Sequence, residues 1–240
     1  FLEWSGRMIR GDLGESIFLH MPVRDAILSR IEPTFLIAAI GMSIGVVCGI
    51  LSGVLAAVWH QTWFDQFIIG VSLIGISIPG FWLAFLLMLF LGVQLRWVPV
   101  CGYESIAAVG FFSALRYLVL PGLTLGIMQS GLIARMIRSA MLDVLGQDYI
   151  RTAHAKGLSF WVVIFRHALK NALIPTITVI GFSFGLLLGG TWIVETIFFI
   201  PGTGQLAISA ILKRDFPLIQ GTMIFVALIY VLVNLAVDVC

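Results

Sequence analysis

Five stretches of the chain contain no Asp, Glu, Lys or Arg, and each is 18 to 32 residues long. They are residues 33–64, 66–95, 117–134, 171–194 and 216–237. About 20 apolar residues, at a rise of 1.5 Å each, cross the hydrocarbon core of a bilayer as a helix. The pattern therefore predicts an all-α, polytopic membrane helical bundle. The five transmembrane helices are expected at about 34–59, 67–93, 117–138, 172–194 and 218–239.

The segment before the first uncharged stretch has a different pattern, because charged and apolar residues alternate within it. Val23, Ala26, Ile27 and Ile31 share one helical face, which is typical of an amphipathic helix at a membrane surface. Pro33 is tolerated near a helix start and is expected to begin the first span. We therefore predict an outer-surface amphipathic segment over residues 1–33 and a transmembrane domain over residues 34–240.

Composition agrees with a membrane protein, since 60% of the residues are hydrophobic and only 11% are charged. A soluble domain carries about 25% charged residues. The sequence contains no basic run of the kind that binds nucleic acid. The chain starts at Phe1 rather than Met and stops directly after the last predicted span, so we expect it to be a piece of a longer protein.

Glycine recurs at helical spacing inside the predicted spans. The repeats are Gly41, Gly45, Gly49 and Gly53 in the first span, Gly122, Gly126 and Ser130 in the third, and Gly181, Gly185 and Gly189 in the fourth. Small residues every four positions let helix backbones approach closely in lipid. We interpret these stripes as packing surfaces, with a hinge or gate as the less favoured alternative.

The longest charged loop covers residues 139–174. Together with Arg135 and Arg138 it holds six of the fourteen Lys and Arg residues, so the positive-inside rule favours a cytoplasmic location. The local signals predict a helix, a break and a second, amphipathic helix. Gly157 suits the left-handed position after a helix end, Ser159 is a candidate cap, and Pro175 is expected to separate the second helix from the next span.

The predicted second helix places apolar residues on one face and polar residues on the other. The apolar face comprises Trp161, Ile164, Phe165, Ala168, Leu169 and Ala172. The polar face comprises Arg166, His167, Lys170 and Asn171.

The loop sequence DYIRTAHAKGLSFWVVIFRHALKNALIP resembles the EAA loop of permease subunits of ATP-binding-cassette importers. Its RTA-x-AKG and RHALKNALIP portions are similar to the dipeptide, oligopeptide, glutathione and nickel group, with Gly157 and Pro175 at the corresponding positions. Arg151 replaces the acidic residue that names the loop. Further matching segments are GDLGESI, FWLAFLL, RSAMLDVLGQDYIRTA, ETIFFIPGTGQL and RDFP.

The resemblance implies a type I importer permease fold, with six spans in an intact member of which the first is missing here. It implies a second homologous permease subunit, two ATPase subunits that bind ATP and Mg, and a periplasmic or lipid-anchored substrate-binding protein. The implied ATPase-contacting element is Arg151, Thr152, Ala153, His154, Ala155, Lys156 and Gly157. The implied brace comprises Ser159, Arg166, His167, Lys170, Asn171 and Pro175. The implied substrates are di- or oligopeptides, glutathione-like peptides or nickel complexes.

A second candidate region follows the fourth span and comprises Glu195, Pro201, Gly202 and Gly204 as an outer-surface loop. Glu195 lies at a span end, where an interfacial carboxylate is tolerated, so loop stabilisation is favoured over substrate binding. Residues 204–215 are expected to form a short helix that, by the resemblance, receives the binding protein.

No catalytic, cofactor-binding or metal site is predicted in this chain. The four histidines occur singly, the three cysteines lie far apart, and no phosphate-binding loop or hydrolase motif is present. Energy must therefore come from a partner ATPase or, as the alternative function, from an ion gradient that drives a secondary transporter or channel. The uncharged spans and the lack of a visible repeat argue against that alternative.

Overall fold

The computed structural model describes residues 11–239, which form ten helices. We number them in chain order. They are α1 Val23–Val58, α2 Trp63–Ser77, α3 Gly80–Gln94, α4 Ile106–Val109, α5 Phe111–Leu145, α6 Asp148–Ala155, α7 Phe160–Gly190, α8 Trp192–Ile197, α9 Thr203–Lys213 and α10 Phe216–Val239.

Four of these helices, α1, α5, α7 and α10, are each long and apolar enough to cross a membrane. The helices α2 and α3 make a fifth candidate span only as a pair, because the chain bends by 103° between them. The predicted continuous helix over residues 67–93 is therefore wrong. Its break lies at Ile78 and Pro79, where proline has no N–H for the helix and holds the preceding residue in an extended conformation.

The helix that contains the first predicted span begins at Val23, before the predicted start of the span, and continues through Pro33. The predicted surface face of Val23, Ala26 and Ile27 is buried against α9 and α10 in a cluster that includes Leu206 and Leu218. This face is therefore covered by protein. The part of the predicted amphipathic segment in residues 1–10 lies outside the described residues.

The glycine stripe of α1 packs directly against α5. A methyl group built on Gly49 would lie 2.7 Å from Cβ of Ile133, and one on Gly45 would lie 2.8 Å from Cβ of Gln129. Gly126 in turn faces Ile44 of α1. Side chains larger than hydrogen would force the helices apart, so the packing interpretation of these stripes is confirmed.

The stripe in α7 serves the same purpose against α10. Gly181 faces Val237, Gly185 faces the ring of Tyr230, and Gly189 faces Val226. The resulting bundle has two ends. The loop end holds residues 146–159, and the opposite end holds residues 195–215.

Candidate functional site

The helix α6 follows directly from the long helix α5 and is held by two side chains. Ile150 is 3% exposed and Ala153 is 7% exposed, and both belong to a buried cluster with Met141, Ile164 and Ala168. The predicted contact residues other than Ala153 are exposed. These are Arg151, Thr152, His154, Ala155, Lys156 and Gly157. The helix therefore rests on the bundle by one side and presents the other to the exterior.

Gly157 ends α6 in the left-handed conformation that the sequence predicts, with φ of +80°. Its N–H donates to the carbonyl of His154 at 2.9 Å, and the N–H of Leu158 donates to the carbonyl of Ala153 at 3.4 Å. This pair of bonds is the Schellman pattern, which satisfies the last carbonyls of a helix. The turn fixes the direction in which the chain enters α7.

The predicted brace is the first part of α7. Ser159 occupies the position before the helix and accepts through its backbone carbonyl from the N–H of Val163 at 3.1 Å, but its side chain makes no cap. Asn171 donates to the hydroxyl of Tyr149 at 3.0 Å, which ties the brace to α6. Pro175 lies inside α7, so the predicted boundary between brace and span is wrong. Brace and span are one helix.

The apolar face predicted for the brace is only partly correct. Ile164 and Ala168 are buried as predicted, but Trp161 and Phe165 are about half exposed and stack on each other with ring centroids 5.8 Å apart. Val163 takes the buried place instead. Residues 163–168 form a π-helical turn, whose wider hydrogen-bonded loop shifts the register of the side chains.

The exposed surface at the loop end is positively charged. Arg151, Lys156, Arg166 and Lys170 are all exposed there, while His167 is partly buried. The pair between Arg151 and Asp148 is separated by 3.6 Å and fully surface-exposed, so it contributes little to stability. The basic groups are therefore available to an external partner.

A buried ion pair at the loop end was missed by the sequence analysis. Arg138 of α5 donates from Nε to Asp65 of α2 at 2.6 Å and from Nη2 at 2.7 Å, and the Asp65 side chain is only 4% exposed. Nδ1 of His60 lies 3.2 Å from Asp65 and 3.1 Å from Arg138. A signal was present, because Asp65 is the single charge between the first two uncharged stretches.

The opposite end is organised around Glu195, which is fully buried. Its carboxylate accepts from the hydroxyl of Thr34 at 2.7 Å, from the hydroxyl of Thr191 at 2.7 Å and from the N–H of Gln205 at 2.9 Å. Thr34 also accepts from the N–H of Thr203 at 2.8 Å. One carboxylate therefore joins α1 and α8 to the first turn of α9.

The glycines of the predicted outer-surface loop allow this arrangement. A methyl group on Gly202 would collide with the Glu195 carboxylate, and one on Gly204 would lie 2.7 Å from Cα of Trp192. Pro201 lies between them and is partly buried. The loop leads into α9, so the expected short helix over residues 204–215 is present at 203–213.

Two further carboxylates fasten the opposite end. Glu32 accepts from the hydroxyl of Tyr103 at 2.5 Å and from the N–H of Ile106 at 2.9 Å. Burial and the neighbouring Glu32 carboxylate raise the pKa of the Tyr103 phenol well above its usual range. Asp215 accepts from the hydroxyl of Ser16 at 2.5 Å. Burial opposes its ionisation, but hydrogen bonds from Ser16 and from backbone N–H groups prevail and lower the pKa of Asp215.

Among residues 11–239, no group of three or more His, Cys, Asp or Glu side chains is arranged to hold a metal ion. Cys48 and Cys101 are exposed free thiols. The predicted site residues fall into two regions, which are α6 with the first half of α7 at the loop end and the Glu195 cluster at the opposite end.

Comparison with known proteins gives a consistent set of matches. Residues 45–240 match the family model described as "Binding-protein-dependent transport system inner membrane component". The chain is 42% identical over 239 residues to a permease of Brucella suis biovar 1 (strain 1330) assigned to a peptide transport system, covering 99% of this chain and 75% of the relative. It is 40% identical to the di/tripeptide transport system permease protein of Pseudomonas aeruginosa (strain UCBPP-PA14), covering 100% and 77%.

A third relative is the glutathione transport system permease protein of Escherichia coli O6:H1, which is 39% identical and covers 100% of this chain and 75% of its own length. Among solved structures, an inward-facing conformation of the MetNI methionine ABC transporter matches with a TM-score of 0.71 at 19% identity, covering 89% of this chain and 93% of that chain. At this identity the structural match supports the fold.

Proposed function

Because this chain belongs to the family of binding-protein-dependent transport system inner membrane components and is a permease subunit of an ATP-driven importer, we propose that it carries short peptides. The support for the substrate class is that the relatives described above belong to peptide, di/tripeptide and glutathione systems. Nickel complexes are implied only by the resemblance of the loop. We therefore propose peptides, and not nickel complexes, as the substrates of this permease.

The observation that carries the coupling mechanism is the exposed helix α6 with its left-handed Gly157. We propose that residues 151–157 contact a partner ATPase, and that ATP and Mg bind to that partner. Ile150 and Ala153 hold α6 to the bundle, while the Schellman turn and the hydrogen bond from Asn171 to Tyr149 fix its position on α7. A movement of the partner would therefore be passed to α5 and α7, the helices that flank α6.

The assembly that we propose contains a second homologous permease subunit, two ATPase subunits and a periplasmic or lipid-anchored substrate-binding protein. The loop end then faces the cytoplasm, where its exposed basic residues agree with the positive-inside rule. The opposite end faces the periplasm, and α9, held there by Glu195, receives the binding protein. Residues 139–174 act as the coupling loop.

Reconstitution tests this function directly. The permease is co-expressed with its ATPase and second permease subunits, purified, and placed in lipid vesicles with the binding protein added outside. We expect ATP-dependent uptake of a radiolabelled dipeptide and co-purification of the ATPase. Uptake driven by a proton or sodium gradient in vesicles that contain this polypeptide alone would overturn the proposal in favour of a secondary transporter.

A further inference from the structure

The break between α2 and α3 leaves backbone groups without helical partners. Ile78 donates its N–H to the carbonyl of Ile74 at 3.0 Å, which is the last bond of α2. Pro79 has no N–H to offer Gly75, and the chain then turns by 103°. The carbonyls of Gly75, Ile76 and Ser77 therefore accept no backbone hydrogen bond from α3.

The position of this break along α5 places it deep within the apolar layer. A methyl group built on Gly75 would lie 3.6 Å from the carbonyl oxygen of Ile127, and one built on Gly80 would lie 3.0 Å from the sulfur of Met128. Both neighbours are close to the middle of the uncharged stretch 117–134. The break is thus far from either end of the span.

The break is also open to the exterior of the subunit. Ser77 and Pro79 are exposed, and they help to line a surface concavity of about 500 Å³. An unsatisfied carbonyl in hydrocarbon costs several kcal/mol, so irregular backbone at membrane depth occurs only inside protein or beside water. This surface therefore does not face lipid.

We propose that the 77–79 break lines the translocation pathway and that the unpaired carbonyl oxygens of Ile76 and Ser77 accept hydrogen bonds from the α-ammonium group of a passing peptide. The inference rests on the proposed function. The C-terminal end of α2 carries the negative end of the helix dipole, which favours a cationic ligand. The five uncharged stretches contain no carboxylate, so at this depth the chain offers backbone oxygens instead.

Cysteine accessibility tests the proposal in the complete permease–ATPase complex. Cys48, Cys101 and Cys240 are first replaced by Ala, and S77C is introduced in vesicles whose wild-type complex imports dipeptide. The control is V71C, an exposed position on a different face of the same helix. Labelling by a water-soluble, membrane-impermeant thiol reagent is then followed with a transported dipeptide at millimolar concentration, with its N-acetylated form, and without peptide.

We expect the thiol introduced at position 77 to react with the aqueous reagent, and the dipeptide to slow this reaction several-fold. The N-acetylated dipeptide lacks the ammonium group and should leave the rate unchanged, as should either peptide at position 71. The binding protein is omitted, so its own selectivity does not enter. If the thiol at position 77 reacts only with lipid-soluble reagents, the pathway assignment is overturned. The same holds if this thiol reacts with no reagent at all.

Equal protection by the two peptides would overturn the role of the carbonyls. Failure of the wild-type complex to import any peptide is a separate result, which refutes the proposed function. A second variant, P79A, supplies the missing N–H and allows α2 to continue. We expect it to lower dipeptide uptake at least tenfold while the ATPase still co-purifies, and normal uptake by P79A would contradict the need for the break.

Discussion

The guanidinium group of Arg138 and the carboxylate of Asp65 form a two-bond ion pair, Nε to Oδ1 at 2.6 Å and Nη2 to Oδ2 at 2.7 Å. The pair joins α2 to α5 about two turns before α5 ends at α6. Because Asp65 is nearly inaccessible, the pair is shielded from water and its two charges depend on each other. It holds α2, which ends at the break, to α5, which leads into α6.

Removing one charge of this pair should destabilise the protein. In D65N the Arg138 cation loses its counter-charge, and we expect the free energy of unfolding to fall by about 3 kcal/mol. This value is at the lower end of the range for breaking a buried ion pair, because the Arg138 side chain is one-quarter exposed. Denaturant unfolding in detergent measures this. The control D143N changes an exposed aspartate at the same end and should have almost no effect.

The double variant D65N/R138Q removes both charges and should recover part of the lost stability. If D65N and D143N unfold alike, the pair contributes nothing and the interpretation of the loop end is wrong.

The contact between α1 and α5 predicts a contrast between two glycines. G49A places a methyl group 2.7 Å from Cβ of Ile133, so we expect the free energy of unfolding to fall by about 1–3 kcal/mol through overpacking. G70A meets nothing within 4 Å, and Ala is favoured over Gly inside a helix by about 1 kcal/mol. The two variants should therefore change the melting temperature in opposite directions, and equal changes would contradict the close packing.

The features that the sequence predicted correctly are those set by local rules. Uncharged length predicted the membrane helices, four-residue spacing predicted the glycine contacts, and the helix-end signal predicted the left-handed Gly157. Each depends on residues within a few turns of one another. The family resemblance of the loop added the importer role, which no periodicity could provide.

The features that were missed depend on tertiary contacts. Pro33, Pro121 and Pro175 lie inside continuous helices, whereas Pro79 lies at a break, so proline alone does not decide where a span ends. The residues of the Asp65–Arg138 pair are 73 positions apart, and a single charge beside an apolar stretch does not identify its partner. The π-helical turn at 163–168 changed which residues of the brace are buried.

Asp215 should make the stability of the opposite end depend on pH. Its pKa is lowered in the folded protein, so the ionised form stabilises the fold above the unfolded pKa of about 3.9. That contribution is lost as the pH falls through the folded pKa. Melting curves between pH 7 and pH 2 should show wild type and D215N converging only below about pH 4. The control D148N alters a fully exposed carboxylate and should follow wild type throughout.

Glu195 should be necessary for the position of α9. In E195A the N–H of Gln205 and the hydroxyls of Thr34 and Thr191 lose their shared acceptor, at a cost of about 1–3 kcal/mol for each buried group left unsatisfied. We expect faster proteolysis within α9 and loss of binding-protein-dependent uptake. The conservative variant E195Q keeps one oxygen and should retain part of both properties.

The control for Glu195 is E104A, which removes an exposed carboxylate at the same end that accepts from the hydroxyl of Tyr117. E104A should leave the proteolysis of α9 at the wild-type rate. Equal rates for E195A and E104A would mean that the buried carboxylate does not position α9.

Gly157 allows a test of coupling with a control glycine elsewhere in the chain. Gly157 and Gly110 have nearly the same φ, +80° and +81°, and neither has an atom within 4 Å of a built methyl group. A β-branched side chain in the left-handed conformation of Gly157 costs about 1–2 kcal/mol of backbone energy. Gly110 has a ψ of 162°, a conformation almost restricted to glycine, so G110V imposes at least as much local strain before α5 as G157V does at the turn after α6. If α6 contacts the ATPase, only G157V should reduce ATPase co-purification and dipeptide uptake. Membrane insertion should be unchanged in both variants. Equal losses in G157V and G110V would show general destabilisation and not a coupling defect.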